Sequence, residues 1–182
     1  MSSSTPYDLE LIEGCRRGKR KYQERLYKAY YSYGMSIALR YAHSSDEAKE
    51  VLNDSFMKIF KSISKYNPER SFKGWVRRII INTSIDYYRK NLKFEGALDI
   101  VDNEPLDYNI DGIQKLNIDD IISLLRGLPE VYRVTFNLYE IEGYNHDEIA
   151  DLLNIEVSTS RSNLTRAKQK LRVLFHKHFG ES

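Results

Sequence analysis

The stretch GYNHDEIADLLNIEVSTSRSNLTRAKQKLRVLF (Gly143–Phe175) decides how this chain is read. Asn145 stands where a helix N-cap belongs, with Glu148 three residues on. The pair fits a capping box, in which each side chain satisfies a backbone N–H of the first turn. Ile149, Ala150, Leu152 and Leu153 give that helix its buried side, and Ala150 is small enough for a second helix to cross closely. Asn154 tolerates the left-handed conformation of a sharp turn, with Ile155 and Val157 plugging the core beneath. Ser158 or Thr159 is expected to cap a longer helix that buries Leu164, Ala167, Leu171 and Leu174. The opposite face then presents Thr159, Ser162, Thr165, Arg166 and Gln169, flanked by Arg161 and Asn163. Residues 140–156 hold six Asp/Glu and no Lys/Arg; from Ser158 onward there are six Lys/Arg and one Asp/Glu. An acidic helix, a tight turn and a basic helix form the pattern of a helix-turn-helix, whose second helix reads base edges in the major groove. An ordinary helical hairpin would not require the cap, the alanine, the turn residue and the hydroxyl-rich face together.

Working outward, helical spacing runs through Ile118, Ile121, Ile122 and Leu125, breaks at Gly127, and restarts with Pro129 as first helical residue to continue to about Ile141. Residues 94–117 lose the periodicity and gain Asp, Asn, Gly and Pro105, which predicts a linker. Before it, Ala48, Val51, Leu52, Ser55, Phe56, Ile59, Phe60 and Ile63 fall on one helical face, and Ser44 with Glu47 fits a second capping box. Tyr66–Ser71, containing Pro68, reads as a loop. A further amphipathic helix follows, with Phe72, Trp75, Val76, Ile79, Ile80, Thr83 and Tyr87 on its stripe. Tyr22–Ala42 is helical upstream, with Leu26, Tyr30, Tyr33, Ile37 and Tyr41. The alternation of strands is absent. The expected fold is all-α: two small helical domains, 7–93 and 118–177, joined by an acidic linker.

The totals narrow the function. Of 182 residues, 41% are hydrophobic and 30% charged, as in a soluble globular protein. No apolar run reaches the ~20 residues of a membrane span, and Met1–Pro6 does not read as a secretory signal. The single cysteine, Cys15, suits a reducing cytoplasm and reads as a small helix residue. The net charge of +2 hides an asymmetry. Residues 7–93 hold 19 Lys/Arg against 10 Asp/Glu, residues 94–120 hold one against eight, and residues 121–182 hold eight of each. A basic first lobe favours polyanions. The histidines His43, His146, His176 and His178 are scattered, and His176 and His178 point to different helix faces. Neither a glycine-rich phosphate loop nor a defensible catalytic grouping is present. No catalytic residue, metal or cofactor is expected, and neither a small-molecule substrate nor membrane insertion.

Several stretches, in one order and spacing, carry a family resemblance: Leu26–Tyr31, Asp46–Phe56, Phe72–Val76, Asn82–Lys90, Leu128–Glu130, Glu142–Ala150 and Ser158–Lys168. Over roughly Leu9–Asn91 and Ile121–Phe175 the chain resembles the extracytoplasmic-function sigma factors of bacterial RNA polymerase. The resemblance implies recruitment rather than chemistry. Glu50, Asn53, Asp54 and Met57 would dock on the clamp helices of core RNA polymerase. The Tyr66–Ser71 loop and the helix after it would open the minus-ten element of promoter DNA and capture a flipped base, using Tyr66, Lys73, Arg77, Arg78, Asn82, Asp86 and Arg89. The reading helix would take the minus-thirty-five element through Thr159, Arg161, Ser162, Asn163, Thr165, Arg166 and Gln169. Phe72 and Trp75 lie on the apolar stripe and are left to the core. An anti-sigma factor, often membrane-bound in the family, is an implied partner. Two departures stand out. Ser160 replaces a common Val, expected to loosen packing, and Asn163 replaces a common basic residue, expected to remove a phosphate contact. The alternative is a helix-turn-helix regulator that acts on DNA without joining the polymerase.

Overall fold

Thr5 opens the first helix with a reciprocal cap: its hydroxyl accepts from the Asp8 N–H at 3.1 Å while the Asp8 carboxylate accepts from the Thr5 N–H at 3.0 Å. Such a cap is worth about 1 kcal/mol, and Pro6 follows at the first helical position. The computed structural model describes residues 5–95 and 118–179. Eight α-helices run through them: α1 Pro6–Arg16, α2 Arg20–Tyr41, α3 Ser45–Ser62, α4 Phe72–Glu95, α5 Ile118–Arg126, α6 Glu130–Phe136, α7 His146–Leu153 and α8 Val157–Phe179. A 3₁₀ turn, Ile63–Lys65, extends α3, and a π-helical turn, Asn137–Ile141, extends α6. No strand occurs among the described residues. The chain divides between Tyr87 and Tyr88, within α4, into two units. Helix α4 reaches Glu95, two residues into the predicted linker; the rest of that linker, 96–117, lies outside the described residues.

In the first unit α2 packs on α1 and α3. The stripe read from the sequence is the core of α3: Ala48, Val51, Leu52, Ser55, Phe56, Ile59 and Ile63 are buried, and only Phe60 is half-exposed. Ser55 is admitted because its hydroxyl donates to the Val51 carbonyl at 2.6 Å, as a buried polar group must. The α3 cap differs in one detail. Ser44 accepts from the Glu47 N–H, but the Glu47 carboxylate accepts from the N–H of His43, one residue further out. Gly34 sets the approach of α2, since a Cβ there would lie 2.4 Å from Leu52 and 3.2 Å from Ile80. Helix α4 is buried over more of its circumference than its stripe implies. Phe72, Val76 and Ile80 are joined by Ile81, Ser84 and Ile85, while Trp75, Ile79 and Tyr87 are half-exposed.

In the second unit Leu125, Leu128, Tyr132 and Ala167 form the core, with Val131, Phe136, Leu171 and Leu174 packed against it. Pro129 is the N-cap of α6 and not its first residue, so the helix begins at Glu130, one residue later than expected. The α7 capping box is present: Asn145 accepts from the Glu148 N–H at 2.9 Å, and Glu148 accepts from the Asn145 N–H at 2.8 Å. Asn154 takes the left-handed conformation, φ 55°. Helix α8 begins at Val157, and the Ser160 N–H already donates to the Glu156 carbonyl. Ser158 and Thr159 therefore lie inside its first turn and are not its cap.

Candidate nucleic-acid interface

Three surfaces collect the residues singled out from the sequence. On α3, Glu50, Asn53, Asp54 and Met57 are all exposed. Met57 is 55% exposed, a large apolar side chain one helical turn from Asn53 and Asp54. Two tyrosines from other helices orient the polar groups. The Tyr27 hydroxyl of α2 donates to Asn53 Oδ1 at 3.0 Å, and the Tyr87 hydroxyl of α4 donates to Asp54 Oδ2 at 2.8 Å. Partial burial and the bond to Asp54 push the Tyr87 hydroxyl up to about 12, so it stays a donor into alkaline solution. Burial, then Tyr31 beside it, also raises Tyr27. Neither role is legible in the sequence. Tyr87 lies on the apolar stripe and Tyr27 beside Leu26, and spacing along one helix does not say what a hydroxyl meets on another.

The second surface is the 66–71 loop with α4. Tyr66 is corrected here. It is 3% exposed, its ring packs against Phe72 and Trp75 at centroid distances of 5.1 and 5.4 Å, and its hydroxyl donates to the Arg70 carbonyl. A ring this deeply buried has no face for a base; Tyr66 supports the loop from within. Phe72 is buried and Trp75 half-buried, as the apolar stripe requires. Lys73 is exposed, with its ammonium 4.5 Å from the Tyr33 ring centroid. Arg78, Asn82, Asp86 and Arg89 are exposed and Arg77 is half-buried. At about 100° per residue, Arg78, Asn82 and Arg89 fall within an arc of roughly 40°, whereas Arg77 stands about 100° away. Asp86 would repel phosphate, but Lys58 of α3 pairs with it at 2.8 Å.

The third surface is α8. Thr159, Arg161, Ser162, Thr165 and Arg166 are exposed and Gln169 is half-buried. Asn163 is corrected: it is 6% exposed and belongs to the core face with Ser160, Leu164 and Ala167. It lies within about 60° of both Ser160 and Ala167 around the helix. Ser160 is wholly buried, and its hydroxyl lies 3.0 Å from His146 Nδ1, whose ring stacks on Tyr139 at 4.5 Å. That contact joins the first residue of α7 to the first turn of α8. The Ser162 and Thr165 hydroxyls donate to carbonyls one turn back, at 3.0 and 3.1 Å, keeping lone pairs outward.

Two family descriptions match in order along the chain: sigma-70 region 2 over residues 26–94 and sigma-70 region 4 over residues 118–171. The sigma-E factor of Haemophilus influenzae, of the extracytoplasmic-function group, is 25% identical over 177 residues, covering 90% of this chain and 93% of that protein. The chain belongs to the extracytoplasmic-function sigma factors. The sigma factor SigE of Mycolicibacterium smegmatis is 28% identical over 169 residues; 90% of this chain aligns, and it spans 62% of that protein's length. Among solved structures, a sigma factor from Bartonella quintana, crystallised with the anti-sigma factor NepR, superposes with a TM-score of 0.51 at 19% identity. That match covers 84% of this chain and 95% of the other, and the likeness is one of fold. As a sigma factor the chain is a transcription initiation factor rather than an enzyme. Its α3 and α4 surfaces fall in region 2 and its α7–α8 pair in region 4. Among the described residues no cluster of His, Cys, Asp and Glu could hold a metal, and no helix is long and apolar enough to cross a membrane.

Proposed function

We propose that this sigma factor docks on core RNA polymerase through Glu50, Asn53, Asp54 and Met57, opens the minus-ten element with the 66–71 loop and α4, and reads the minus-thirty-five element with α8. The observation that carries it is the α3 face: an exposed Met57 bordered by Asn53 and Asp54, each held by a tyrosine from a neighbouring helix. Lys73, Arg77, Arg78, Asn82, Asp86 and Arg89 serve the minus-ten element; Thr159, Arg161, Ser162, Thr165, Arg166 and Gln169 serve the minus-thirty-five element. Tyr66 and Asn163 support these surfaces from the core. Residues 7–93 and 118–177 act as the two functional domains, with 94–117 between them, and the protein works in the cytoplasm, where the polymerase works. The B. quintana structure is a complex with an anti-sigma factor, and we assign this chain a partner of that kind.

Transcription reconstituted with core polymerase and promoter DNA of the same source tests the reading. Wild-type protein should give promoter-specific transcripts. Asp54→Arg, which reverses a charge on the docking face without touching the core, should lower core affinity by about 100-fold or more. Sequence-specific DNA binding by the protein alone, with no complex with core, would instead establish a stand-alone regulator.

A further inference from the structure

Helix α1 precedes the stretch matched to region 2, which begins at residue 26, yet it reaches the loop assigned above to promoter opening. Arg16, its last residue, donates from Nη2 to the Tyr66 carbonyl at 2.6 Å and from Nε to the Ile63 carbonyl at 3.3 Å. Ile63 begins the 3₁₀ turn that ends α3, and Tyr66 is the first residue of the loop. A guanidinium is suited to this task, because its planar fork holds two acceptors at once and its charge meets the negative end of a helix. A second path runs from α1 to the far end of the loop. The Asp8 carboxylate accepts from the Tyr30 hydroxyl at 2.7 Å, and the Tyr30 ring meets Phe72, first residue of α4, edge-on at 5.4 Å.

Between these supports the loop is already shaped. Asn67 Oδ1 accepts from the Glu69 N–H at 2.9 Å, the Arg70 N–H donates to the Asn67 carbonyl at 3.1 Å, and Ser71 Oγ accepts from the Gly74 N–H at 3.2 Å. Asn67, Pro68, Glu69 and Arg70 are left exposed on a fixed backbone. Opening a duplex costs unstacking energy of a few kcal/mol, and a receiving loop that must first order itself adds to that cost.

We propose that Arg16 is a positioning residue for promoter opening: by holding the Ile63 and Tyr66 carbonyls it keeps the 66–71 loop in its receiving shape before DNA arrives. This rests on the assignment of that loop to the minus-ten element. Arg16 touches no DNA in this role and does not belong to the docking face. Its neighbour Arg17 supplies the control, since it pairs with Glu13 on the exposed side of α1 at 3.0 Å.

The test uses full-length Arg16→Gln, Arg16→Lys and Arg17→Gln proteins bound to core polymerase. It measures core affinity, permanganate reactivity of minus-ten thymines on duplex promoter, and transcription from a template already unpaired across that element. Arg16→Gln should lower duplex opening by about tenfold, two charge-assisted bonds being lost. Core affinity should stay within about twofold, and the unpaired template should restore transcription, since the sites are separate. Arg16→Lys, keeping the charge but not the fork, should fall between, and Arg17→Gln should match wild type. Wild-type opening by Arg16→Gln would overturn the proposal, as would a loss shared equally by core binding and the unpaired template, the mark of a merely structural residue. Failure of the wild-type protein to open any promoter with core would overturn the assignment of the loop and this proposal with it.

Discussion

The two units of this protein store their functional information differently. In the second, nearly every feature of the α7–α8 pair is set by residues close in sequence: Asn145 with Glu148 at the start of α7, Asn154 at the turn, and the helical period of Leu164 and Ala167. In the first, the surface is assembled by side chains far apart in sequence. Tyr27 meets Asn53, Asp54 meets Tyr87, Lys58 meets Asp86, and Arg16 meets Tyr66. A helix-turn-helix can be read off a string because its caps and turn are local backbone devices. A face shared by three helices cannot, because each member is an ordinary polar residue until its partner is known.

Substitutions can break or sharpen that contrast. The largest effect is expected at Asn163, which the string places beside the reading face and the structure buries. Asn163→Lys should destabilise the second unit by roughly 3 kcal/mol or more, since a buried charge is left without a partner. Denaturant unfolding followed by a probe in the second unit measures it; an unchanged midpoint with altered DNA affinity would return Asn163 to the DNA face. Asn154→Ala should cost about 1 kcal/mol, because alanine lacks the local hydrogen bonding that eases a left-handed backbone. Thermal unfolding checks it, with Asn154→Gly as the substitution that should leave stability nearly intact.

In the first unit, Tyr87→Phe should lower core affinity by about fivefold, the equivalent of one hydrogen bond to a charged group in partial exposure. A double-mutant cycle with Asp54→Asn should show the two effects failing to add. Because burial and the Asp54 bond raise the Tyr87 hydroxyl to about 12, its contribution is fully present below the free tyrosine range near pH 10 and fades as pH climbs toward 12. A pH titration of stability in the wild type, lacking that component in Tyr87→Phe, reads it. The smallest effect belongs to Lys58→Ala: both partners of the Lys58–Asp86 pair are about half exposed, so stability should fall by about 0.5 kcal/mol or less. DNA binding should weaken more than stability, because Asp86 then faces phosphate without its neutralising partner.

The sequence by itself determined the all-α class, the buried stripe of α3, the α7 cap and the turn at Asn154, since these follow from periodicity and from hydrogen bonds spanning a few residues. It also carried enough ordered matches to mark the chain as resembling a sigma factor. The limits of single-helix patterning show at particular residues. Tyr66 reads as an exposed aromatic in a polar loop, yet Phe72 and Trp75 enclose it. Ser160 reads as a polar departure on a core face, and His146 is the partner of its buried hydroxyl. Only the tertiary structure decided those, along with the tyrosines that orient Asn53 and Asp54 and the hold of Arg16 on the loop. In each the deciding interaction is a short-range contact between groups whose separation along the chain runs from six residues to fifty, which the sequence records as two unrelated letters and the fold brings within hydrogen-bond or van der Waals reach.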